Sequence, residues 1–476
     1  MADFSGGDLS LEAAARLDRG SPWYLAGVCL VTSLGGFLFG FDTAVISGTF
    51  KQVEALFRLS EWGVGWFGSS ALVGCIAGAA VTGFLSERFG RRRNLIAAAV
   101  LLFISALYSM IPQNFGVLTG ARVIGGVGVG MASVLAPTFI SEFSPPRLRG
   151  RLVAVYQLSI VVGILAAYFS NWILLEFSRR SPDAFGGQGW LDWVLVSQVW
   201  RGMFGAEMVP AAAFFFLLFL VPESPRWLVK VGREAEAAFI LARVAGHETA
   251  RREIKEILDS LGGGTGTAAD LFRPGLRQAL LVGVGLSVFG QMTGINVVVY
   301  YGPSILEGAG FPVGSALQYQ VALGAINLIF TLLALWKVDS WGRRPLLIGG
   351  MAAVTLTMAA TAVLLLKGAP AIWIVVLLGA YIASVALSIC AVIWVLTPEI
   401  FPNRVRGLAV SISTFSNWGT NAVTAFLYPW YVEKLGLHTG FFTFAAVCLV
   451  ATVFFWRLVP ETKGKSLEEI EAHWRP

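Results

Sequence analysis

A single aspartate, Asp42, lies inside an apolar run that begins near Trp23 and has no other charge until Lys51. A carboxylate in hydrocarbon costs about 2.5 to 3.5 kcal/mol on insertion scales, so acids inside a membrane usually have a function. Two interpretations are open: the helix ends near Gly40 and Asp42 meets water, or the helix continues and buries the carboxylate. The uncharged stretch TAVISGTF that follows Asp42 favours the second.

A buried carboxylate can carry a proton when a cation contacts it in one conformation and withdraws in another, because its proton affinity then changes. The candidate cation is Arg122, in the glycine-rich stretch GARVIGGVGVG. These glycines follow no predicted strand, so they indicate a close-packed helix face rather than a nucleotide loop. The two residues are therefore a candidate proton carrier, with a fixed structural ion pair as the alternative.

Composition places these residues in a membrane protein. Of the 476 residues 56% are hydrophobic and only 13% are charged, which no ordinary soluble domain approaches. The four cysteines lie in apolar runs without CxxC pairing and the three histidines are scattered, so we expect no disulfide framework, metal site or cofactor. The net charge of +6 has no interleaved aromatic surface, so we expect no nucleic-acid partner.

The apolar segments predict how the chain crosses the bilayer. Six segments, a polar interval and six more are each about 20 residues long, the length that spans the hydrocarbon. Their starts lie near Trp23, Trp62, Asn94, Phe115, Leu152, Arg201, Leu276, Tyr319, Pro345, Ala371, Leu408 and Gly440. We expect an all-α membrane protein with twelve transmembrane helices: six in 23–221, a linker at 222–275, six in 276–459, and terminal segments 1–22 and 460–476.

Charge in the loops predicts the orientation of these helices. The loops after the second, fourth, eighth and tenth segments are basic, and they carry Arg88, Arg91, Arg92, Arg93, Arg147, Arg149, Arg151, Lys337, Arg343, Arg344, Arg404 and Arg406. Basic loops face the cytoplasm, and an even number of spans then places both termini there. The first 22 residues show no cleavable signal peptide, so the first span is expected to direct insertion.

The polar interval and the tail read as amphipathic helices on the cytoplasmic side. EAEAAFILARVAG and ARREIKEILDSL have apolar residues at helical spacing, and the flexible sequence GGGTGT follows them. The tail SLEEIEAHW is expected to form another helix, with Ser466 as its N-cap.

The chain also repeats itself, with an offset of about 250 residues. ERFGRRRNL recurs as DSWGRRPLL, SEFSPPRLRG as PEIFPNRVRG, and FGFDT as FGQMT. Three matches at nearly one offset indicate a duplicated six-span half. Duplicated halves predict a pseudo-twofold axis, a site near the midplane between the halves, and rocking that exposes the site alternately on the two sides.

The repeated loops pair acids with bases. Glu142 and Glu399 lie at the ends of the fourth and tenth spans, and arginines recur around them. We expect charge-assisted pairs across the seam between the halves, forming a cytoplasmic gate that closes when the protein faces outward. The alternative is that the arginines only set topology and bind lipid headgroups. The candidate gate residues are Arg91, Arg92, Glu142, Arg149, Arg343, Arg344, Glu399 and Arg406.

Five motifs in the chain match one known family: PESPRWL at 222–228, PETKG at 460–464, the two GRR loops and TGINVVVYYGP at 293–303. In these motifs the chain resembles the sugar porter family of the major facilitator superfamily. The similarity covers essentially the whole sequence and is strongest to bacterial proton-coupled symporters of the xylose type. It implies two six-helix bundles with a cytoplasmic helical linker, import of a monosaccharide (hexose or pentose) with a proton, a bacterial inner-membrane location and a monomer. The alternatives are a facilitative uniporter and a non-transporting sugar sensor.

A sugar presents hydroxyls that donate and accept, so its site needs amides and an aromatic face. The resemblance assigns sugar contact to Phe39, Gln157, Gln291, Asn296, Tyr300, Asn327, Trp394, Asn417 and Trp418. The alternative for each amide is a hydrogen bond between helices. In a straight helix Gln291 and Asn296 would lie about 140° apart, so we expect Gly290 and Gly294 to unwind the seventh span and bring them together.

The resemblance also bears on coupling. Proton-coupled relatives have Asp and Arg at the positions of Asp42 and Arg122, facilitative relatives have a neutral residue in place of the Asp, and Glu207 matches an acidic position of the symporters. Two departures concern the pocket: Gly290 replaces a glutamine, and Cys390 with Ala391 replaces a Gly-Pro pair before the tryptophan of the tenth span. They put the identity of the sugar in question more than its class.

Overall fold

The computed structural model describes residues 20–112, 114–145, 147–261, 268–273, 275–402, 405–463, 469–470 and 474. Within these ranges the chain is almost entirely helical and contains no strand. Most of the N-terminal segment, the GGGTGT stretch and Ser466 lie outside the described residues, so the expectations for them are not addressed.

The first half contains six spans, separated by short turns except after the first and before the sixth. They are Pro22–Val45, Glu61–Phe89, Arg91–Met110, Phe115–Phe143, Arg149–Arg180 and a sixth span in two pieces, Val199–Gly205 and Met208–Leu217. A 3-10 turn, Ile46–Gly48, and a short helix, Phe50–Phe57, follow span 1. Side chains of Ser21, Ser60 and Asn114 cap spans 1, 2 and 4, accepting from backbone amides that begin those helices.

The second half repeats this plan with two broken spans. Span 7 is Leu276–Gln291 with Ile295–Gly308, span 8 is Val313–Trp341, and span 9 is Arg343–Leu366. Span 10 is Ala371–Leu387 with Ile389–Glu399, followed by span 11, Arg406–Leu435, and span 12, Leu437–Leu458. The predicted fold of twelve transmembrane helices in two bundles is confirmed.

Several spans begin a few residues before the predicted start. Span 8, for example, begins at Val313 rather than near Tyr319. By length and mean hydropathy, eleven helices among the described residues qualify as membrane spans. Span 11 does not qualify, although at 30 residues it is as long as its neighbours, because it is rich in polar side chains.

Glycines set how closely the helices of the first half approach. A Cβ added to Gly126 of span 4 would lie 1.9 Å from the Ala71 carbonyl oxygen of span 2. One added to Gly74 of span 2 would lie 2.1 Å from the Val123 carbonyl oxygen. The two helix backbones are therefore in direct contact, and the prediction that the glycine-rich stretch is a packing face is confirmed.

Spans 3 and 9 both begin at the end of the molecule that carries the arginine-rich loops at 91–93 and 343–344, which we call the basic end. The other end, where spans 1 and 7 finish, is called the opposite end. The linker helices Pro225–Lys230, Glu234–Ala245 and His247–Leu261 lie at the basic end, and the Trp227 indole donates to the Glu87 carbonyl oxygen there. Burial raises the pKa of Glu253 in the third linker helix, and attraction to Arg149 partly offsets that rise.

Candidate functional site

Asp42 forms a buried ion pair with Arg122. The guanidinium Nη1 donates to the Asp42 carboxylate at 2.5 Å, and Nη2 donates to the Asp42 carbonyl oxygen at 3.2 Å. Each residue is only 2% exposed. Span 1 continues past Asp42 to Val45, so the interpretation in which the helix ends near Gly40 and Asp42 meets water is wrong.

The pair is buried and tightly packed. A Cβ added to Gly125 of span 4 would lie 2.3 Å from the Ser105 hydroxyl and 3.7 Å from the Asp42 carboxylate, so span 4 leaves no room for a side chain there. The Arg122 guanidinium lies over the Phe204 ring, 5.4 Å from its centroid. Removing one partner of such a buried pair leaves an uncompensated charge, which costs about 3 to 5 kcal/mol. Either the two charges stay together or a proton neutralises the acid when they separate.

A second acid, Glu207, lies beside this pair. It occupies the turn between the two pieces of span 6, is 1% exposed, and interacts electrostatically with both Asp42 and Arg122. Neither of its carboxylate oxygens accepts a hydrogen bond from any residue that the structure describes. A second buried carboxyl group thus lies near the Asp42–Arg122 pair, while the arginine itself bonds only Asp42 among the residues described.

Span 7 unwinds where the candidate sugar amides lie. Its first piece ends at Gln291, and Gly294, with φ of 84°, begins the second piece in a backbone conformation that side chains disfavour. Gln291 Oε1 accepts from Asn296 Nδ2 at 2.5 Å, so the break brings the two amides together as predicted. Gly290 remains helical and packs against Ile389, so the expectation that it unwinds is wrong.

A third amide and two aromatic rings extend this cluster. Gln291 Nε2 donates to Asn417 Oδ1 at 3.1 Å, and the next residue, Trp418, lies 5.3 Å from Phe39 between ring centroids. Asn417 Nδ2 and Trp418 Nε1 are buried and have no hydrogen-bond partner among the described residues. Leaving such donors unpaired costs about 1 to 3 kcal/mol each, so they are suited to the oxygen atoms of a bound ligand.

Tyr300 joins the cluster to span 11 and to the proton carrier. Its hydroxyl accepts from Asn421 Nδ2 at 3.0 Å, and the ring is 3% exposed. Tyr300 also interacts electrostatically with Asp42 and Arg122. Asn421 was not among the predicted site residues, although its spacing of four from Asn417 places both on one face of span 11 and could have indicated it.

Three predicted sugar-site residues lie outside this hydrogen-bonded cluster. Gln157 and Asn327 are half-buried, and within the described part of the chain no hydrogen bond joins either to the cluster amides. Trp394 is 47% exposed on the second piece of span 10. That span breaks at Ser388, just before the Cys390 and Ala391 substitutions noted above.

The two halves are held together at the opposite end. Lys51 of the first half lies 3.7 Å from Glu307 of the second, and Lys434 of the second lies 3.3 Å from Glu61 of the first. The rings of Trp62 and Trp430 stack at 5.7 Å. Each contact crosses the seam, so the opposite end is closed.

At the basic end the predicted gate pairs lie within each half. Arg91 contacts Glu142 at 3.2 Å in the first half, and Arg343 contacts Glu399 at 3.4 Å in the second. The expectation that such pairs cross the seam concerns the state in which the basic end is closed, so this conformation, which is closed at the opposite end, does not test it. Here each arginine begins the helix next to its own acid. Arg149 and Arg406 likewise donate locally, to the carbonyl oxygens of Ser141 and Phe401.

The PES and PET motifs explain how the remaining gate arginines are placed. Glu223 accepts from the backbone amides of Arg91 and Arg92 at 2.9 and 3.0 Å, and Glu461 accepts from those of Arg343 and Arg344 at 3.2 and 3.1 Å. Each acid therefore caps the first turn of span 3 or span 9, where helix amides lack partners. The side chains of Arg92 and Arg344 donate to carbonyl oxygens of spans 6 and 12, at Leu218, Phe219 and Trp456.

Two repeated bundles, with a buried charge pair in the first and an amide cluster in the second, define a multi-pass membrane transporter rather than an enzyme. The chain belongs to the sugar transporter family: the family model described as "Sugar (and other) transporter" matches residues 28–474.

Curated relatives and a solved structure agree with this assignment. The chain is 40% identical to the D-xylose-proton symporter of Escherichia coli (strain K12), over 95% of this chain and 96% of the relative. It is 39% identical to the arabinose-proton symporter of Bacillus subtilis (strain 168), over 94% of each. The inward open conformation of the xylose transporter XylE from E. coli superposes with a TM-score of 0.81 and 36% identity, covering 95% of this chain and 100% of that one.

Proposed function

We propose that the protein is a proton-coupled symporter that imports a monosaccharide by alternating access. The observation that carries the proposal is the Asp42–Arg122 pair, together with the neighbouring Glu207, whose carboxylate has no hydrogen-bond partner in the described part of the chain. Tyr300 follows Asn296 by four residues on the second piece of span 7, and its hydroxyl accepts from Asn421 of span 11, the helix that also carries Asn417. The two relatives are named as symporters of pentoses, xylose and arabinose, which favours a pentose as the substrate.

The proposed proton cycle uses Asp42, Arg122 and Glu207. With Asp42 ionised, Arg122 holds spans 1 and 4 together through the buried pair. Protonation of Asp42 removes the attraction and frees the guanidinium for Glu207, its other acidic neighbour. The energy of the charge pair thereby changes with proton occupancy, and a conformation that separates the pair binds the proton more tightly.

The proposed sugar site lies between the bundles formed by 23–221 and 276–459. Gln291, Asn296, Asn417 and the Trp418 indole offer hydrogen bonds to sugar hydroxyls, while Phe39 and Trp418 offer ring faces to its C–H groups. We also assign Tyr300, Gln157, Asn327 and Trp394 to this site, the last three as residues that approach the sugar from spans 5, 8 and 10.

The basic end is assigned to the cytoplasm, so both termini face it and the protein lies in a bacterial inner membrane as a monomer. The closed opposite end then makes this conformation inward-facing, with Trp394 exposed toward the cytoplasmic entrance. We propose that Arg91 with Glu142 and Arg343 with Glu399 stabilise this state from within each half.

The replacement Asp42→Asn tests coupling in proteoliposomes. A membrane potential of 100 mV supplies about 2.3 kcal/mol per proton, which supports roughly 50-fold accumulation of sugar. Asp42→Asn should keep sugar exchange across the membrane and lose accumulation, because an amide cannot release a proton. Persistent uphill uptake would refute the proton assignment, while wild-type protein that exchanges sugar without accumulating it would be a facilitator.

A further inference from the structure

A proline in span 7 leaves one backbone carbonyl without its usual partner. Pro303 lies inside the helix Ile295–Gly308 and has no amide hydrogen. In a regular helix that amide would donate to the carbonyl oxygen four residues earlier, which here belongs to Val299. A buried carbonyl left unpaired is destabilising, so another donor is needed.

That donor comes from the other half of the molecule. The Tyr168 hydroxyl of span 5 donates to the Val299 carbonyl oxygen at 3.2 Å. The Tyr168 ring is 3% exposed and is seated on span 8, where a Cβ added to Gly324 would lie 2.9 Å from it. Gln320 of span 8 donates to the adjacent carbonyl, that of Val298, at 3.2 Å. Tyr168 is thus inserted between spans 7 and 8 across the seam.

The contact lies close to both the sugar amides and the closed end. Val299 follows Asn296 by three residues and precedes Tyr300, so the second piece of span 7 carries both the contact and the candidate sugar groups. In span 5, Tyr168 is nearer the end at Arg180 than the start at Arg149, which places it toward the opposite end. The hydrogen bond joins the two halves, so a movement that separates spans 5 and 7 when that end opens would break it.

We propose that Tyr168 is a positioning residue for alternating access, which satisfies the carbonyl freed by Pro303 only while the opposite end is closed. The inference rests on the proposed function, since it assigns a conformational role within the transport cycle. The stabilisation comes from one hydrogen bond: when the opposite end is open, the Val299 carbonyl loses the Tyr168 hydroxyl and can bond only water or sugar. The hydroxyl therefore biases the equilibrium toward the state seen here.

The test measures that equilibrium directly. Spin labels at Leu56→Cys and Val313→Cys, both exposed and on different halves at the opposite end, report its opening by their distance distribution. The four native cysteines are replaced by serine or alanine in this background. Tyr168→Phe keeps the ring and removes the hydroxyl, and it should raise the ratio of open to closed protein by about 2- to 10-fold, the value of one neutral hydrogen bond.

Two further variants separate this role from general packing. Tyr156→Phe makes the same change in the same helix at a buried hydroxyl that has no partner among the described residues, and it should leave the ratio unchanged. Pro303→Ala returns the missing amide, so adding Tyr168→Phe to it should have little further effect. If Tyr168→Phe does not fold, recovery of folded protein by Pro303→Ala supports the same conclusion.

Three results would overturn the inference: no shift with Tyr168→Phe, an equal shift in the Pro303→Ala background, or unfolding that Pro303→Ala does not rescue. Failure of the proposed function has a different signature. Wild-type protein would then show no proton-dependent pentose uptake, whatever the label distances in the sugar-free state.

Discussion

Replacing Gln291 by alanine removes the central amide of the candidate sugar cluster. Gln291 is the only cluster residue seen, among those described, to bond two others, Asn296 and Asn417. Its loss deprives the Asn296 amide of an acceptor and the Asn417 carbonyl of a donor. A sugar bound in the cavity would lose its own hydrogen bonds to Gln291 and meet two amides whose orientation is no longer set.

The size of the effect follows from these contacts. An unpaired polar group in a buried site costs about 1 to 3 kcal/mol, which corresponds to roughly 5- to 150-fold in the dissociation constant. Isothermal titration of purified protein with xylose and arabinose should show weaker binding of that order for Gln291→Ala. Thermal melting on the same samples checks that the variant is folded.

The control lies on the same helix. Gln278 is exposed in the first piece of span 7, so Gln278→Ala makes the same chemical change away from the cluster and should bind sugar as wild type does. Binding by Gln291→Ala within about 2-fold of the control, in folded protein, would remove the cluster from the sugar site. The amides would then only bridge spans 7 and 11.

Two further predictions concern packing and the closed end. Gly126→Leu should abolish folded protein in size-exclusion chromatography, because the carbonyl oxygen 1.9 Å from the new Cβ belongs to rigid backbone. The control Gly83→Leu places its Cβ in open space and should leave the yield of folded protein unchanged. A normal yield of Gly126→Leu would contradict the packing argument. Lys434→Glu should raise the ratio of open to closed protein at the opposite end by less than about 5-fold, because the Lys434–Glu61 pair is solvent-exposed. The double variant Lys434→Glu with Glu61→Lys should restore the wild-type ratio, measured with the same spin labels. A shift that the double variant does not reverse would show that the pair does not hold the seam.

Hydropathy and the internal repeat predicted the architecture for different reasons. Eleven spans are apolar enough to be recognised by composition alone. Span 11 carries Asn417, Asn421 and several hydroxyl side chains; its apolar segment starting near Leu408 predicted it, and a duplicated half also requires a partner for span 5. The polarity that hides this helix from a hydropathy search is what lets it contribute to the site.

The contacts at the basic end could not be predicted in the same way. A sequence indicates that Arg91 and Glu142 attract one another, but it does not say which conformation the halves adopt. In the state closed at the opposite end, each arginine is satisfied inside its own half. The roles of Glu223 and Glu461 were also missed, because a helix cap supplied from a distant loop leaves no local spacing signal.

The repeated motifs FGFDT and FGQMT carry different chemical groups at neighbouring positions, since Asp42 is the fourth residue of the first motif and Gln291 is the third residue of the second. In the first half the helix runs unbroken through Asp42, and the acid is fixed by an arginine from span 4. In the second half the corresponding stretch ends its helix at Gln291 and resumes at Ile295, which turns the amide inward beside Asn296. A continuous helix suits a charge that must be shielded, whereas a break exposes groups that a sugar can bind. The division predicts that exchanging the motifs would not exchange the functions, since span 10 offers no arginine at the level of Arg122 and span 1 has no glycine placed like Gly294.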